Sequence, residues 1–321
     1  IIEGLKYRLN VGTDIRIWRD GEFNGSETFV NRQGAASASL GNTFEFGYTV
    51  ENILTYDKSF GMHDLRVTAL QSIQKQRTEN SGLSASSFPY ESQQFYNLGS
   101  AATPGTISSS LSEWSLASFM GRVNYEIGAK YLFQATLRAD GSSRLSEENR
   151  WKYFPGFSAG WRLIEEDFIP QSKLLDELKL RVSYGSVGST SIPPYETQGR
   201  LARRVYSWDE TSAFGFGLSD IPNTDLTWEV STTTDAGLDF GFFGGKILGS
   251  FDWYQTNTTD ILLERVIPLT SGYTSVLQNI GETKNTGVEL SLTARIIDKQ
   301  DGFKWNANFN ISRNREEIVE L

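Results

Sequence analysis

Cysteine is absent from this 321-residue sequence, and histidine occurs once, as His63. The missing cysteines exclude a disulfide framework, thiolate zinc sites and cysteine nucleophiles within these residues, and one histidine cannot build a histidine-rich metal cage. Bases are also scarce, because 30 lysines and arginines face 39 acids, and the formal charge of −9 argues against a general nucleic-acid binder. No apolar run approaches the roughly 18 residues of a membrane-spanning helix.

The sequence is rich in alternating polar and apolar residues. Leu5 to Thr13, Trp228 to Phe240 and Phe303 to Ile311 each place apolar side chains at every second position. A period of two is typical of strands with one apolar and one polar face. About eleven such runs occur, many of ten or more residues, which predicts an all-β chain with strands longer than the usual five or six residues of a soluble sheet.

Short and long connections alternate between these predicted strands. The short ones are Asp57 to His63, Glu126 to Lys130, Gly241 to Lys246 and Ile297 to Gly302. The long ones are Arg16 to Asn42, Thr78 to Glu113, Gly185 to Asp225, Asn257 to Lys284 and the intermediate Asp140 to Lys152. Leu163 to Glu177 predicts a short helix or an extended turn. The alternation is typical of an up-and-down antiparallel sheet with short turns on one side of a membrane and long loops on the other.

Charge is confined to one face of the predicted strands. That face carries Lys6, Arg8, Glu45, Glu51, Arg66, Arg122, Arg138, Arg162, Lys179, Arg181, Glu229, Asp235, Asp239, Glu289 and Arg295. The other face is almost uncharged, as lipid contact requires, since a charge near the bilayer midplane costs about 2 to 4 kcal/mol. Aromatic pairs beside short turns, such as Tyr125 and Tyr131, favour a girdle at the membrane interface. A soluble sandwich with one solvated face would show the same alternation, so that alternative stays open.

Several phrases of the sequence carry a resemblance to a known family. They are GRVNYEIGAKYLFQATLRADGSSR (Gly121 to Arg144), NRWKYFPGFSAGWRLIEEDF (Asn149 to Phe168), LKLRVSYGSVG (Leu178 to Gly188), PNTDLTWEVSTTTDAGLDFG (Pro222 to Gly241) and NIGETKNTGVELSLTA (Asn279 to Ala294). In this order they resemble the barrel of SusC/RagA-like TonB-linked outer-membrane transporters. The resemblance covers most of the predicted strands and weakens in the long loops.

The resemblance implies an antiparallel up-and-down transmembrane β-barrel of about 22 strands. Residues 1–321 would supply about half of that barrel, as a single partial wall segment. A signal peptide, a carboxypeptidase-like extension, a TonB box and a plug domain, which the family usually carries, are not found in these residues. We therefore expect the sequence to be a piece of a longer protein.

The resemblance also implies a function, which is TonB-dependent import of oligosaccharides or peptides across a Bacteroidota-type outer membrane. Such a protein is not an enzyme and needs no cofactor or metal. Its partners would be a SusD-like surface lipoprotein, the TonB–ExbB–ExbD complex acting through the absent plug, and outer-membrane lipid, with no nucleic acid. Two alternatives remain: a siderophore or cobalamin receptor without a lipoprotein lid, and a soluble β-sandwich or propeller domain that binds carbohydrate.

Aromatic rings stand among Asn, Gln, Ser and acidic residues in the predicted long loops. This mixture suits stacking on sugar faces or binding of peptide side chains. An equally open interpretation is that the rings anchor the long loops to one another or contact a partner protein. The candidate substrate-binding residues are Trp18, Phe23, Phe88, Tyr90, Tyr96, Tyr195, Tyr206 and Trp208.

The family-type run from Asp140 to Arg144 is the remaining candidate. We expect Gly141 and Ser142 to form a tight strand-to-loop turn, with Arg144 pairing to a neighbouring acid. A calcium site is disfavoured because calcium needs several oxygen ligands and Asp140 supplies too few. The adjacent acids Glu147-Glu148 and Glu165-Glu166 cannot face each other across a glycosidic bond, so no catalytic residue is predicted.

Overall fold

The structure is a computed structural model that describes residues 2–31, 34–170, 172, 174–208, 211–298 and 302–321. Its strands are β1 (Leu5–Asn24), β2 (Ser37–Phe60), β3 (His63–Ser86), β4 (Thr103–Ile127), β5 (Tyr131–Ser142), β6 (Trp151–Arg162), β7 (Leu175–Ser189), β8 (Leu201–Trp208), β9 (Thr211–Leu218), β10 (Glu229–Phe242), β11 (Ile247–Thr259), β12 (Leu262–Val266), β13 (Ser275–Asn279), β14 (Glu282–Asp298) and β15 (Lys304–Glu320). Short 3₁₀ segments lie at Glu91–Ser100, Leu163–Glu165, Glu196–Gln198 and Leu269–Ser271. Among the described residues, no helix has the length and apolarity needed to cross a membrane.

Eleven strands form one sheet whose order follows the chain. The order is β1-β2-β3-β4-β5-β6-β7-β10-β11-β14-β15. β8 pairs with β9, and β12 pairs with β13, so each of these pairs is a two-stranded ribbon inserted between neighbours of the large sheet. The predicted all-β, up-and-down antiparallel sheet of about eleven strands is confirmed.

Three of the four short connections lie where the sequence predicts them, and the fourth, Ile297 to Gly302, falls in part outside the described residues. β2 and β3 are separated by Gly61 and Met62 alone, and β4 and β5 by residues 128–130. Gly244 and Gly245 have φ angles of +68° and +73° in the β10–β11 turn, a left-handed conformation that glycine adopts without strain. Turns this short force consecutive strands to run antiparallel, which sets the topology.

The long connections are shorter than predicted, because strands extend into them. β1 and β2 leave only residues 25–36 between them, and β3 and β4 leave residues 87–102. The predicted boundaries failed here because the strand ends contain Arg, Gly, Asn and Ser on both faces, which obscures the alternation. The connections predicted as Gly185 to Asp225 and Asn257 to Lys284 each contain one of the two ribbons. In the Leu163 to Glu177 segment, the expected short helix is the three-residue 3₁₀ turn.

The chain divides into two units. Unit 1 comprises Ile1–Arg8, Asn52–Gln71 and Ala117–Leu321, and unit 2 comprises Leu9–Glu51 and Ser72–Leu116. In unit 2 the buried core is Ala36, Ala38, Ala85 and Phe88, with Phe23 and Phe95 packed against it. In unit 1 the buried apolar side chains are Leu145, Phe154, Ile192, Leu226 and Trp228.

Candidate functional site

The sheet in unit 1 has one face of apolar side chains and one face of polar and charged side chains. One row of paired residues crosses β7, β10, β11, β14 and β15 as Leu180, Leu238, Phe251, Leu290 and Ile311. The adjacent row of paired residues crosses the same five strands as Arg181, Gly237, Asp252, Glu289 and Ser312. Because successive side chains point to opposite faces of a sheet, the first row belongs to an apolar face and the second to a polar face.

The apolar face is uncovered in the part of unit 1 that the structure describes. Val182 is 47% exposed, Phe251 is 44% exposed and Ile311 is 55% exposed. In a β-sandwich the inner faces of two sheets interdigitate and bury such residues. The exposure of these side chains therefore disfavours the soluble-sandwich alternative, since a stable soluble sheet would cover a continuous apolar band of this kind.

An ion-pair network on the polar face joins three strands. The Arg181 guanidinium on β7 donates from Nε and Nη2 to the two carboxylate oxygens of Asp239 on β10, both at 2.8 Å. The same Nη2 reaches Oδ1 of Asp252 on β11 at 2.7 Å. Gly237 lies between them on β10, and a Cβ at that position would stand 2.4 Å from Asp252 Oδ1. The glycine is thus what lets the guanidinium bridge across the middle strand.

A cavity of 580 Å³ lies on the polar face of unit 1 beside this network. Its walls include Asp57, Arg66, Glu126, Lys179 and Arg181. Arg66 Nε donates to Asp57 Oδ1 at 2.5 Å, so charges of opposite sign neutralise each other within the wall. The described residues contain no group of three His, Cys, Asp or Glu side chains placed to hold a metal ion. This surface is suited to contact with hydrophilic groups and water.

The buried cluster of unit 1 lies where the longer connections leave the strands. Trp228 packs edge-on against Phe154 with ring centroids 5.6 Å apart, and its indole N–H donates to the carbonyl of Arg150 at 3.1 Å. A Cβ at Gly188 would stand 2.2 Å from Phe154 Cζ. Phe154, Gly188 and Trp228 come from three different family-type phrases, so these phrases converge on one packed cluster.

Side-chain hydrogen bonds tie the connections to this cluster. Arg144 Nη1 donates to the carbonyls of Thr190 at 3.3 Å and Ile192 at 3.0 Å, and burial lowers the pKa of the Arg144 guanidinium. Asn279 Nδ2 donates to the Thr227 carbonyl at 3.0 Å, while its Oδ1 accepts from the Thr227 N–H at 2.9 Å. Charged and amide side chains thus replace the backbone partners that irregular segments lack.

The turn expected at Gly141 and Ser142 needs correction. Gly141 and Ser142 are the last residues of β5 and not a turn, because Gly141 stays paired with Trp151 on β6. Asp140 is buried and accepts from Arg138 Nε at 2.8 Å and 2.7 Å. Arg144 Nη1 donates to the two carbonyls above, and the expected pairing of Arg144 with a neighbouring acid stays a prediction.

The predicted aromatic residues of unit 2 lie in three different settings. Trp18 and Phe23 belong to β1, which extends to Asn24 and lies next to β2 in the sheet, and not to a loop. Phe23 packs edge-on against the buried Phe88, with ring centroids 6.2 Å apart, so this pair is part of the unit 2 core. Tyr90 and Tyr96 are largely exposed in the connection between β3 and β4.

The predicted aromatic residues of unit 1 are all exposed. Tyr195 precedes the 3₁₀ turn at Glu196–Gln198 and has a left-handed φ of +71°. Tyr206 and Trp208 lie in β8 and not in an irregular loop, two residues apart and therefore on one face of the β8–β9 ribbon. At the base of that ribbon Arg200 Nε donates to Asp220 Oδ2 at 2.6 Å and holds the pKa of the Asp220 carboxyl below its usual range. Within unit 1, Tyr195 and the Tyr206–Trp208 pair lie on different elements.

Sequence reasoning missed Asp252 and Gly237, which complete the ion-pair network. The signal for Asp252 was present, since Phe251 and Trp253 flank it and place it on the polar face by alternation. The importance of Gly237 depends on the cross-strand register, which no pattern within a single strand reveals.

Comparison with known proteins places this architecture in a family. The family model described as "TonB dependent receptor-like, beta-barrel" matches residues 3–317. TonB-dependent receptor P3 of Formosa agariphila is 37% identical over 326 residues, covering 100% of this chain and 32% of that protein. TonB-dependent receptor SusC of Bacteroides thetaiotaomicron is 38% identical over 220 residues, covering 64% of this chain and 21% of SusC.

The solved structures give the same result. The structure of the RagAB peptide transporter superposes with a TM-score of 0.90 at 27% identity, covering 100% of this chain and 35% of the transporter chain. FpvA of P. aeruginosa bound to heterologous pyoverdines shares the fold at a TM-score of 0.58 and 13% identity, covering 98% of this chain and 39% of the FpvA chain. The chain spans about a third of the length of the relatives P3 and RagAB that it matches throughout. By sequence and by fold, the chain belongs to the TonB-dependent receptor-like β-barrel family.

Proposed function

We propose that this chain is a single segment of the wall of a SusC-type TonB-dependent nutrient importer in a Bacteroidota-type outer membrane. The observation that carries the proposal is the uncovered apolar face opposite a polar face of paired charges, aligned row by row across five strands. The apolar face would contact lipid, and the polar face would line a wet interior through which a hydrophilic solute passes.

Strand length supports a membrane position. A tilted strand crosses the hydrocarbon core with about 9 to 11 residues, whereas β2, β3 and β4 have 24, 24 and 25 residues. We propose that the ends of these strands opposite the short turns stand outside the bilayer on the cell-surface side. That arrangement would present Tyr90 and Tyr96 to the medium.

The cargo and partners are proposed by analogy with the relatives. The similarity to the RagAB peptide transporter supports a peptide cargo. The similarity to SusC, with the family resemblance of the sequence, is the ground for proposing oligosaccharides as well and a SusD-like surface lipoprotein as the partner. Energy would come from TonB–ExbB–ExbD acting on parts of the receptor outside this chain, so the segment needs neither catalytic residues nor a cofactor. The exposed aromatics Tyr195, Tyr206 and Trp208 are proposed to contact either the cargo or the lipoprotein.

Uptake by cells tests this function. We expect deletion of the full-length receptor gene to abolish growth on one oligosaccharide or peptide source, because a solute of that size cannot cross the outer membrane without an importer. The full-length receptor should restore growth, and a version without its TonB-contacting segment should not. Growth defects confined to limiting ferric siderophore or cobalamin would favour the alternative receptor class and contradict the proposal.

A further inference from the structure

The apolar face of unit 1 gives way to positive charge on β14 and β15. Along β15, Phe309 and Ile311 lie on the apolar face and are 53% and 55% exposed. The next two residues on that side are Arg313 and Arg315, both exposed, toward the end of the strand away from the β14–β15 connection. We call these two arginines and Lys284 of β14 the cationic patch.

Cross-strand pairing places the patch on three successive rows that point to the same side of the sheet as the apolar face. From the apolar band outward, the rows are Trp253, Val288 and Arg313; Gln255, Thr286 and Arg315; and Asn257, Lys284 and Glu317. Rows two residues apart share a face and lie about 7 Å from one another. The cations therefore follow the last apolar row directly.

Charge at this level is sorted between the two faces of the sheet. Glu316 stands between Arg315 and Glu317 in the chain and so points to the polar face. Neither Arg313 nor Arg315 forms an ion pair with a described residue. Glu317 stands opposite Lys284 in the row farthest from the apolar band. The chain has a formal charge of −9, and yet the outward side of these rows is net positive.

The patch shares a register row with Val182 but differs from it in depth. The row runs through Val182, Ala236, Trp253, Val288 and Arg313. Barrel strands tilt by about 35 to 45°, so a row shifts in depth by about 3 Å at each strand, or about 12 Å from β7 to β15. The apolar run agrees with this shift, because it spans Leu178 to Tyr184 on β7 and Trp305 to Ile311 on β15. In the proposed membrane position, the patch lies at the cell-surface boundary of the bilayer.

The chemistry of the patch fits a phosphate group at that boundary. A guanidinium donates two parallel hydrogen bonds to phosphate oxygens, and a lysine ammonium adds a point charge. Trp253 is 37% exposed in the innermost row and has the amphipathic ring that is enriched at membrane–water interfaces. Gln255 and Thr286 add an amide and a hydroxyl that bond to phosphate or to sugar hydroxyls. A lipid headgroup also brings acyl chains to the adjoining apolar band, which free phosphate does not.

We propose that the cationic patch binds the phosphate of an anionic glycolipid in the outer leaflet, with Arg313 and Arg315 donating to phosphate oxygens and the acyl chains lying along the apolar face of β14 and β15. The inference rests on the proposed outer-membrane function and goes beyond it, because it assigns one lipid headgroup to named residues. It concerns the outward surface alone, so cargo transport through the interior does not depend on it.

The double variant Arg313→Gln/Arg315→Gln of the full-length receptor tests the patch. Native mass spectrometry of the detergent-solubilised receptor measures the binding of monophosphoryl lipid A, of the same lipid A after enzymatic removal of its phosphate, and of phosphatidylethanolamine. We expect the wild type to bind monophosphoryl lipid A about tenfold more tightly than either other lipid, and the double variant to lose that preference, a change of about 1.4 kcal/mol. Arg203→Gln/Arg204→Gln is the matched control, because it removes the same charge from the β8–β9 ribbon and should bind as the wild type does.

Arg313→Lys/Arg315→Lys separates charge from geometry. It keeps both cations but lacks the guanidinium fork, so we expect its affinity for monophosphoryl lipid A to lie between those of the wild type and the glutamine variant. Equal binding of the three lipids by the wild type, or an unchanged preference in the glutamine variant, overturns the assignment. An equal loss in the ribbon control, or displacement of the lipid by inorganic phosphate at equal concentration, overturns it as well.

Growth assays separate this inference from the proposed function. We expect cells that carry the glutamine variant to grow on the imported oligosaccharide or peptide as wild-type cells do, which also shows that the variant folds. If the wild-type receptor supports that growth but shows no preference for the phosphorylated lipid, only the patch fails. If it supports no growth on any oligosaccharide or peptide, the proposed function fails whatever the lipid result.

Discussion

Replacing Trp228 with alanine is expected to lower the free energy of unfolding of the full-length receptor by about 3 to 5 kcal/mol, the range found for large aromatic residues removed from a packed core. Trp228 is 3% exposed and packs edge-on against Phe154. Its loss leaves a cavity and also removes the indole donor of the Arg150 carbonyl. Urea unfolding of the receptor in lipid vesicles measures the effect.

Two further variants separate packing from hydrogen bonding at this site. Trp228→Phe keeps a ring against Phe154 but lacks the indole N–H. The Arg150 carbonyl still accepts from the Ser142 N–H at 3.2 Å, so we expect a smaller loss of about 0.5 to 1.5 kcal/mol, the net contribution of one hydrogen bond. Trp208→Ala is the control, because that ring is 77% exposed and a surface change of this kind is usually within about 0.5 kcal/mol. Equal destabilisation by Trp228→Ala and Trp208→Ala would contradict the assignment of the cluster as the anchor of the connections.

Replacing Val182 with arginine is expected to destabilise the membrane-inserted receptor by about 2 to 4 kcal/mol if this part of β7 lies near the bilayer midplane, as the account requires. Val182 lies on the apolar face, paired with Ala159 on β6 and Ala236 on β10, where no acid faces it in those pairings. A guanidinium there would have to enter hydrocarbon or bend away from it. The measurement is the urea midpoint for the receptor refolded in lipid vesicles, together with its abundance in outer-membrane fractions.

Ser183→Arg is the matched control for this charge insertion. Ser183 is the next residue of β7, lies on the polar face and is paired with Asp235, so an added guanidinium meets water and a carboxylate. We expect it to change stability by less than about 1 kcal/mol, as exposed ion pairs do. If Val182→Arg were tolerated as well as Ser183→Arg, the apolar face would not be facing lipid.

The fold could be predicted because its signals are local and repeated. Alternation, as in Leu5 to Thr13, defines a strand and its two faces, and short turns such as Gly61-Met62 make neighbours antiparallel. The strand ends could not be predicted where both faces are polar or mixed, which is why Trp18 was expected in a loop. The β8–β9 ribbon was missed for a similar reason: Arg203 and Arg204 put a charge on each face and remove the period-two contrast.

The candidate sites depend on the cross-strand register, which the sequence of a single strand does not determine. The Arg181 bridge to Asp252 requires Gly237 to stand between them on β10. Nothing within β10 itself marks this glycine as important. The family-type phrases were informative because their residues, such as Phe154 and Trp228, meet in one buried cluster, although the sequence offered no way to see that they touch.

The central claim is that the apolar face touches lipid, and spin-label accessibility tests it most directly. These 321 residues contain no cysteine, so nitroxide labels can be placed singly at Phe251→Cys and Ser250→Cys in the full-length receptor, after replacement of any cysteine elsewhere. In lipid vesicles we predict that the label at position 251 is relaxed by oxygen, which concentrates in hydrocarbon, and that the label at position 250 is relaxed by a water-soluble nickel chelate. A label at position 251 that is shielded from oxygen, or is as accessible to the chelate as the label at position 250, would contradict the account.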